Sequence, residues 1–119
     1  MKIPAFVLKR LYVPGSLRST DEGLAFVLRN HMATATLTEL RALRINGRDV
    51  APAQARVRVG GVELDVQHVT AAAPLVFGRG DDAEVQVRGL AVAGPTKVRL
   101  EVQSAEFGEL VIEFEDRPA

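Results

Sequence analysis

From Lys97 onward the chain alternates. Val98, Leu100 and Val102 are apolar, with Lys97, Arg99, Glu101 and Gln103 set between them. After Ser104-Ala105-Glu106-Phe107-Gly108 the alternation resumes, and Leu110, Ile112 and Phe114 stand against Glu109, Glu113 and Glu115. A period of two sends successive side chains to opposite faces, so the two runs predict half-buried antiparallel strands joined as a hairpin. Pairing them symmetrically about the loop sets Val98 opposite Phe114, Leu100 opposite Ile112 and Val102 opposite Leu110. The same register sets Lys97 opposite Glu115 and Arg99 opposite Glu113. One register serves both faces, and a slip of one residue would spoil both.

A second hairpin passes the same test. Arg56-Val57-Arg58-Val59 and Val62-Glu63-Leu64-Asp65 flank Gly60-Gly61, a pair suited to a two-residue turn in which both central residues take positive φ. That turn sets Val59 against Val62, Val57 against Leu64, Arg58 against Glu63 and Arg56 against Asp65.

Other strands follow with weaker patterns. Ala5 to Val13 is apolar on both faces and predicts a central strand ending at Pro14-Gly15. Leu24 to Met32 predicts a strand with Leu24, Phe26 and Leu28 inward, preceded by the turn Ser19 to Gly23. Glu84 to Arg88 and a short Pro74 to Phe77 strand complete the set. All six prolines fall outside these runs, as a sheet requires. Thr34 to Ile45 is ambiguous. Leu37, Leu40 and Leu43 recur at helical spacing, and Thr36 with Glu39 imitates a helix cap. Read as a strand, the segment puts Arg41 on the apolar side, yet Asn46-Gly47 favours a strand ending at Ile45, and a strand is expected. Pro52 to Ala55 predicts a single helical turn. The expectation is one all-β domain over residues 1–119, an antiparallel β-sandwich, Ig-like or jelly-roll-like, of about 7–9 strands.

Composition narrows the chemistry. With 119 residues and no cysteine, the chain can bury one ordinary core and has neither disulfides nor thiolate chemistry. The apolar run Ala5 to Leu8 is too short for a signal peptide, and nothing approaches the ~18 apolar residues of a membrane span. The expectation is a cytoplasmic protein without a membrane span. Lysine and arginine balance aspartate and glutamate at 15 each, but unevenly. Residues 1–60 hold ten basic and four acidic side chains, and residues 61–119 hold five and eleven. Two halves of opposite sign either neutralise each other within one sandwich or bring copies together. Nucleic acid is disfavoured, because a neutral domain with few aromatics lacks both the phosphate-neutralising surface and the stacking platforms.

Motifs are sparse. His31 and His68 have no zinc-site spacing, and none of Ser16, Ser19 and Ser104 sits in a Gly-x-Ser-x-Gly elbow. Gly78-Arg79-Gly80 lacks the third glycine of a dinucleotide loop, and Arg79-Gly80-Asp81 spells an integrin tripeptide without a secretion signal. No catalytic residue and no cofactor are implied. The one metal candidate is calcium, held by Asp81, Asp82 and Glu84 together with Asp21 and Glu22 of another turn, provided both turns lie at the same end of the sandwich.

The opening Lys2 to Val13 with Gly15-Ser16-Leu17-Arg18, and the ending Glu106-Phe107-Gly108-Glu109-Leu110 through Asp116, resemble a family of short, uncharacterised prokaryotic β-rich proteins. Members sometimes carry the name hydroxymethylglutaryl-CoA reductase. That enzyme is several times longer, and its glutamate, lysine, aspartate and histidine motifs and nucleotide-binding glycines have no counterpart here. The resemblance therefore implies a β-rich fold and no active site, and the enzyme name is not carried over.

Two functions fit. The first is a non-catalytic module for protein interaction or self-assembly, partnered by its own copies or by another protein, supported by the uneven charge and the doubly apolar first strand. The second is a small-molecule or lipid binder, conceivably an enzyme, which requires a concave apolar pocket with a few convergent polar groups between sheets or subunits. The first is expected.

Overall fold

The alternating runs become strands in the computed structural model, which describes residues 3–119. Ten strands form among them, two only two residues long. In chain order they are β1 (Arg18–Ser19), β2 (Gly23–Arg29), β3 (Ala35–Ile45), β4 (Arg48–Asp49), β5 (Ala55–Val59), β6 (Val62–Asp65), β7 (Leu75–Phe77), β8 (Asp82–Arg88), β9 (Thr96–Ser104) and β10 (Gly108–Asp116). One sheet has the order β1-β2-β8-β5-β6. The other runs β10-β9-β3, with β4 and β7 both on the far edge of β3. Every pairing is antiparallel, and the inner faces of the two sheets meet in one core. The expected all-β sandwich is what the chain forms.

Both hairpins take their expected registers. Val98 opposes Phe114, Leu100 opposes Ile112 and Arg99 opposes Glu113. Val57 opposes Leu64 and Arg56 opposes Asp65. Gly60 and Gly61 have φ of +57° and +84°, the conformation that this tight hairpin turn demands and that side chains disfavour. Pro52–Gln54 forms the expected single turn, of 3-10 type.

The segment Ala5 to Val13 is not a central strand. Ala5–Leu8 forms a short helix, α1, continued by a 3-10 turn over Lys9–Leu11. Pro4 starts it: its carbonyl accepts from the Val7 and Leu8 N–H groups at 3.0 and 3.3 Å. Leu8 and Leu11 lie three apart and are buried, while Phe6, two residues before Leu8, is 66% exposed. The apolar residues thus follow a helical stripe packed on β10, not the two faces of a strand. Only Tyr12 reaches a sheet, as an isolated bridge to Leu28.

Thr34 to Ile45 resolves as strand β3, and two irregularities explain its helical spacing. Its register against β9 shifts between Leu37 and Glu39 and again between Leu40 and Ala42. Each bulge adds a residue, so inward leucines come three apart and Leu37, Leu40 and Leu43 still share a face. Arg41 is an added residue. It turns outward, not onto the apolar side, and its guanidinium donates to Glu39 at 3.0 Å and Glu109 at 2.8 Å.

One half of the core is packed solid. Tyr12 stacks on Phe114 with ring centroids 3.7 Å apart, and Phe26 meets the edge of Phe114 at 5.2 Å. Leu17, Leu24, Val87 and Val98 fill the surroundings, none more than 2% exposed. A polar clasp locks this half. The Tyr12 hydroxyl donates to Asp116 at 2.6 Å and accepts from the Leu17 N–H at 3.0 Å. Burial, then the bond to Asp116, raises the Tyr12 pKa, while the same hydroxyl and the Gly15 N–H hold the Asp116 carboxyl below its ordinary value.

Candidate functional site

The other half of the core is hollow. Beneath the bulged stretch of β3 lies an apolar cavity of about 340 Å³. Its walls come from both sheets: Leu37, Leu40 and Leu43 on β3, Leu100 on β9, and Ala83 and Val85 on β8. Two features of the chain leave this space. The bulges bend β3, and three inward, buried positions along the walls are alanine: Ala35, Ala55 and Ala83. A side chain that ends at Cβ cannot reach across the roughly 10 Å between packed sheets.

The cavity has an identifiable mouth. On its outer edge β3 pairs with β7 over Ala35 to Leu37 and with β4 over Arg44 and Ile45. No strand pairs with that edge between them; the Val50 N–H donates to the Leu43 carbonyl at 2.8 Å. Of the solvent-exposed residues that touch the cavity, Arg41, Arg44, Asp49 and Pro52 cluster around this gap, and Ala33 lies at the Asn30 end. The mouth is polar: Arg44 holds Asp49 at 2.8 Å. At the opposite end Asn30 lines the wall. Its amide donates to the Ala33 and Phe77 carbonyls, both at 2.8 Å, and its oxygen accepts from the Met32 N–H at 3.0 Å. Among the described residues, no buried side-chain nitrogen or oxygen lacks a partner. The lining is thus mainly hydrocarbon, with charged side chains only at the gap and the bonded Asn30 at the other end.

The residues singled out from the sequence lie elsewhere. Asp21 and Glu22 occupy the turn before β2, beside the Gly23–Arg88 pair, whereas Asp82 pairs with Arg29 at the other end of that strand. The two acidic turns lie at opposite ends, so they do not form the shared calcium site. The carboxylates are also engaged. Asp82 accepts two bonds from Arg29, at 2.7 and 3.0 Å. Glu84 takes Arg18 at 3.0 Å, Arg58 at 3.2 Å and the Gln86 amide at 2.7 Å. Hydrogen bonds from Gln86 and Arg18 hold Glu84 below its ordinary pKa, and Arg29 does the same for Asp82. Asp81 accepts from the Gly78 N–H at 2.9 Å inside its own turn, which occupies the carboxylate of the Arg79-Gly80-Asp81 tripeptide. Among the described residues no three such groups gather to hold a metal ion. His31 and His68 are exposed.

Part of the uneven charge of the two halves is paired within the molecule. Arg18, Arg29, Arg41, Arg56 and Arg58 of the first half all pair with carboxylates of the second. Arg58 reaches Glu84 on β8, not Glu63, its partner in the hairpin register. Among the described residues no helix is long and apolar enough to cross a membrane.

No curated protein matches this chain. The sequence profile of the hydroxymethylglutaryl-CoA reductase N-terminal domain matches residues 7–118. The enzyme name set aside for want of catalytic motifs thus returns attached to an N-terminal domain, and the match runs through the solid half, the bulged β3 and the walls of the cavity alike. The chain belongs to the hydroxymethylglutaryl-CoA reductase N-terminal domain family.

Proposed function

We propose that this domain binds a small apolar ligand in the cavity between its sheets. The observation that carries the reading is the cavity itself: about 340 Å³ of hydrocarbon-lined space in one half of an otherwise closely packed sandwich. Natural cores leave few voids larger than a water molecule, and ligand sites begin at about 300 Å³. The interaction reading rested on two features that the fold uses in part internally. Half of the basic side chains of residues 1–60 pair with carboxylates of the second half within the same sheet, and the first segment is a helix that buries Leu8 and Leu11 against β10. The convergent polar groups expected of a pocket are reduced to Asn30, whose amide is already committed, so the ligand is recognised by shape and apolar contact.

Thermal melting with apolar compounds of increasing size tests this. A ligand at about 100 times its Kd stabilises the native state by about 2.7 kcal/mol, a rise of roughly 10 °C for a domain of this size. Ala83→Leu fills the space and abolishes that rise while raising the melting temperature of the free protein. The reading is overturned if no compound shifts the transition and Ala83→Leu is destabilising.

A further inference from the structure

Three properties of the cavity together restrict its ligand. Asn30 is the one buried polar residue among the described residues that line the cavity, and its amide nitrogen and oxygen are already bonded. A ligand's own polar group buried there would lose its water and gain nothing. The mouth, in contrast, is rimmed by Arg41, Arg44 and Asp49 and opens to solvent. The gap lies along a single strand edge, bounded by β7 at one end and β4 at the other. The cavity continues from this gap toward the Ala35–Phe77 pair, where Asn30 lies.

We infer that the ligand is a single unbranched hydrocarbon chain with a polar end, a fatty acid or similar amphiphile, whose tail enters through the unpaired edge of β3. Its head stays in water beside Arg44 and Asp49, and its methyl end reaches the Phe77 side. This rests on the reading that the cavity binds an apolar ligand. A gap along one strand edge suits an extended chain. The charged lining residues orient the chain, because Arg44 and Asp49 stand at the β4 end while the other end offers only apolar side chains and the already bonded Asn30.

The protein has no tryptophan, so one introduced residue reports alone. Val50→Trp marks the mouth and Phe77→Trp the far end; Pro52→Trp and Phe107→Trp serve where either fails to fold. Each variant is titrated with 2-bromododecanoic acid and with 12-bromododecanoic acid, bromine being a contact quencher. The expected result is loss of emission at Val50→Trp with the 2-bromo acid and at Phe77→Trp with the 12-bromo acid, and little loss in the crossed combinations. The reverse pattern would place the head at the Asn30 end and overturn the inference. Equal quenching of both sites by both acids would overturn it too. If neither acid binds while benzene raises the melting temperature of the unmodified protein, the chain inference fails and the cavity reading stands. If benzene also has no effect, both fail.

Discussion

The two halves of the core are built from the same kinds of strand and end in opposite states. On the side of Tyr12, Phe26 and Phe114 the inward positions carry rings and branched side chains that are almost fully buried, and the strand registers run without a shift. Under β3 the inward positions include Ala35, Ala55 and Ala83, the strand carries two bulges, and part of its edge has no partner. Regular alternation produces a closed core. Irregular alternation with small residues produces space, at the place where the sheet edge also opens.

Equal substitutions in the two halves should therefore have unequal effects. Leu24→Ala removes a fully buried side chain from the solid half and is expected to cost about 4 kcal/mol. Leu43→Ala removes one bordering space that already exists, and about 2 kcal/mol is expected, both measured by denaturant unfolding. Equal losses would mean that the hollow half closes up in solution. Enlargement should invert the sign: Val87→Phe overpacks the solid half and costs about 1–3 kcal/mol, whereas Ala83→Leu adds about 0.5–2 kcal/mol of stability.

The clasp is a smaller contribution on the solid side. Tyr12→Phe keeps the stack on Phe114 but removes the hydroxyl that links Asp116 to the Leu17 N–H, at a cost of about 1 kcal/mol. Acid should weaken the fold in both halves. Asp116, Asp82, Glu84 and Glu106 are all held below their ordinary pKa values in the folded protein, by Tyr12, by Arg29, by Gln86 with Arg18, and by the N–H and hydroxyl of Thr36 respectively. A carboxylate lowered in this way contributes stability above its unfolded pKa and loses it as pH falls through the folded value. Unfolding free energy should thus be level near neutrality and decline below about pH 4. Asp116→Asn should make that decline shallower. The smallest effect belongs to the exposed pair at the mouth: Arg44→Ala should change stability by no more than about 0.5 kcal/mol.

What could be read from the sequence follows the same division. The hairpins at 56–65 and 97–115 were legible because each register satisfied two faces at once, and a diglycine turn fixed one of them. β3 was half legible. Its three leucines spaced by three imitate a helix, since a bulge and a helical turn both bring side chains three apart onto one face. Ala5 to Leu11 misled in the opposite direction, because a stripe with Leu8 and Leu11 buried resembles a strand in a run whose first four residues are all apolar. Pro4 at its start was the overlooked signal. The cavity was illegible, because a void is defined by side chains from distant strands that fail to meet. Its one trace is alanine at inward positions of β3, β5 and β8, visible only once the registers are known. The acidic turns drew attention by composition, and topology sent them to opposite ends of β2.

Xenon tests the hollow half most directly, since it enters apolar space without needing a hydrogen bond or a particular shape. Methyl NMR spectra of the protein under increasing xenon pressure should show saturable shifts at Leu37, Leu40, Leu43, Val85 and Leu100, with Leu24, Val87 and Val98 unmoved. Shifts spread evenly over both sets, or none at all, would contradict a preformed cavity under the bulged strand.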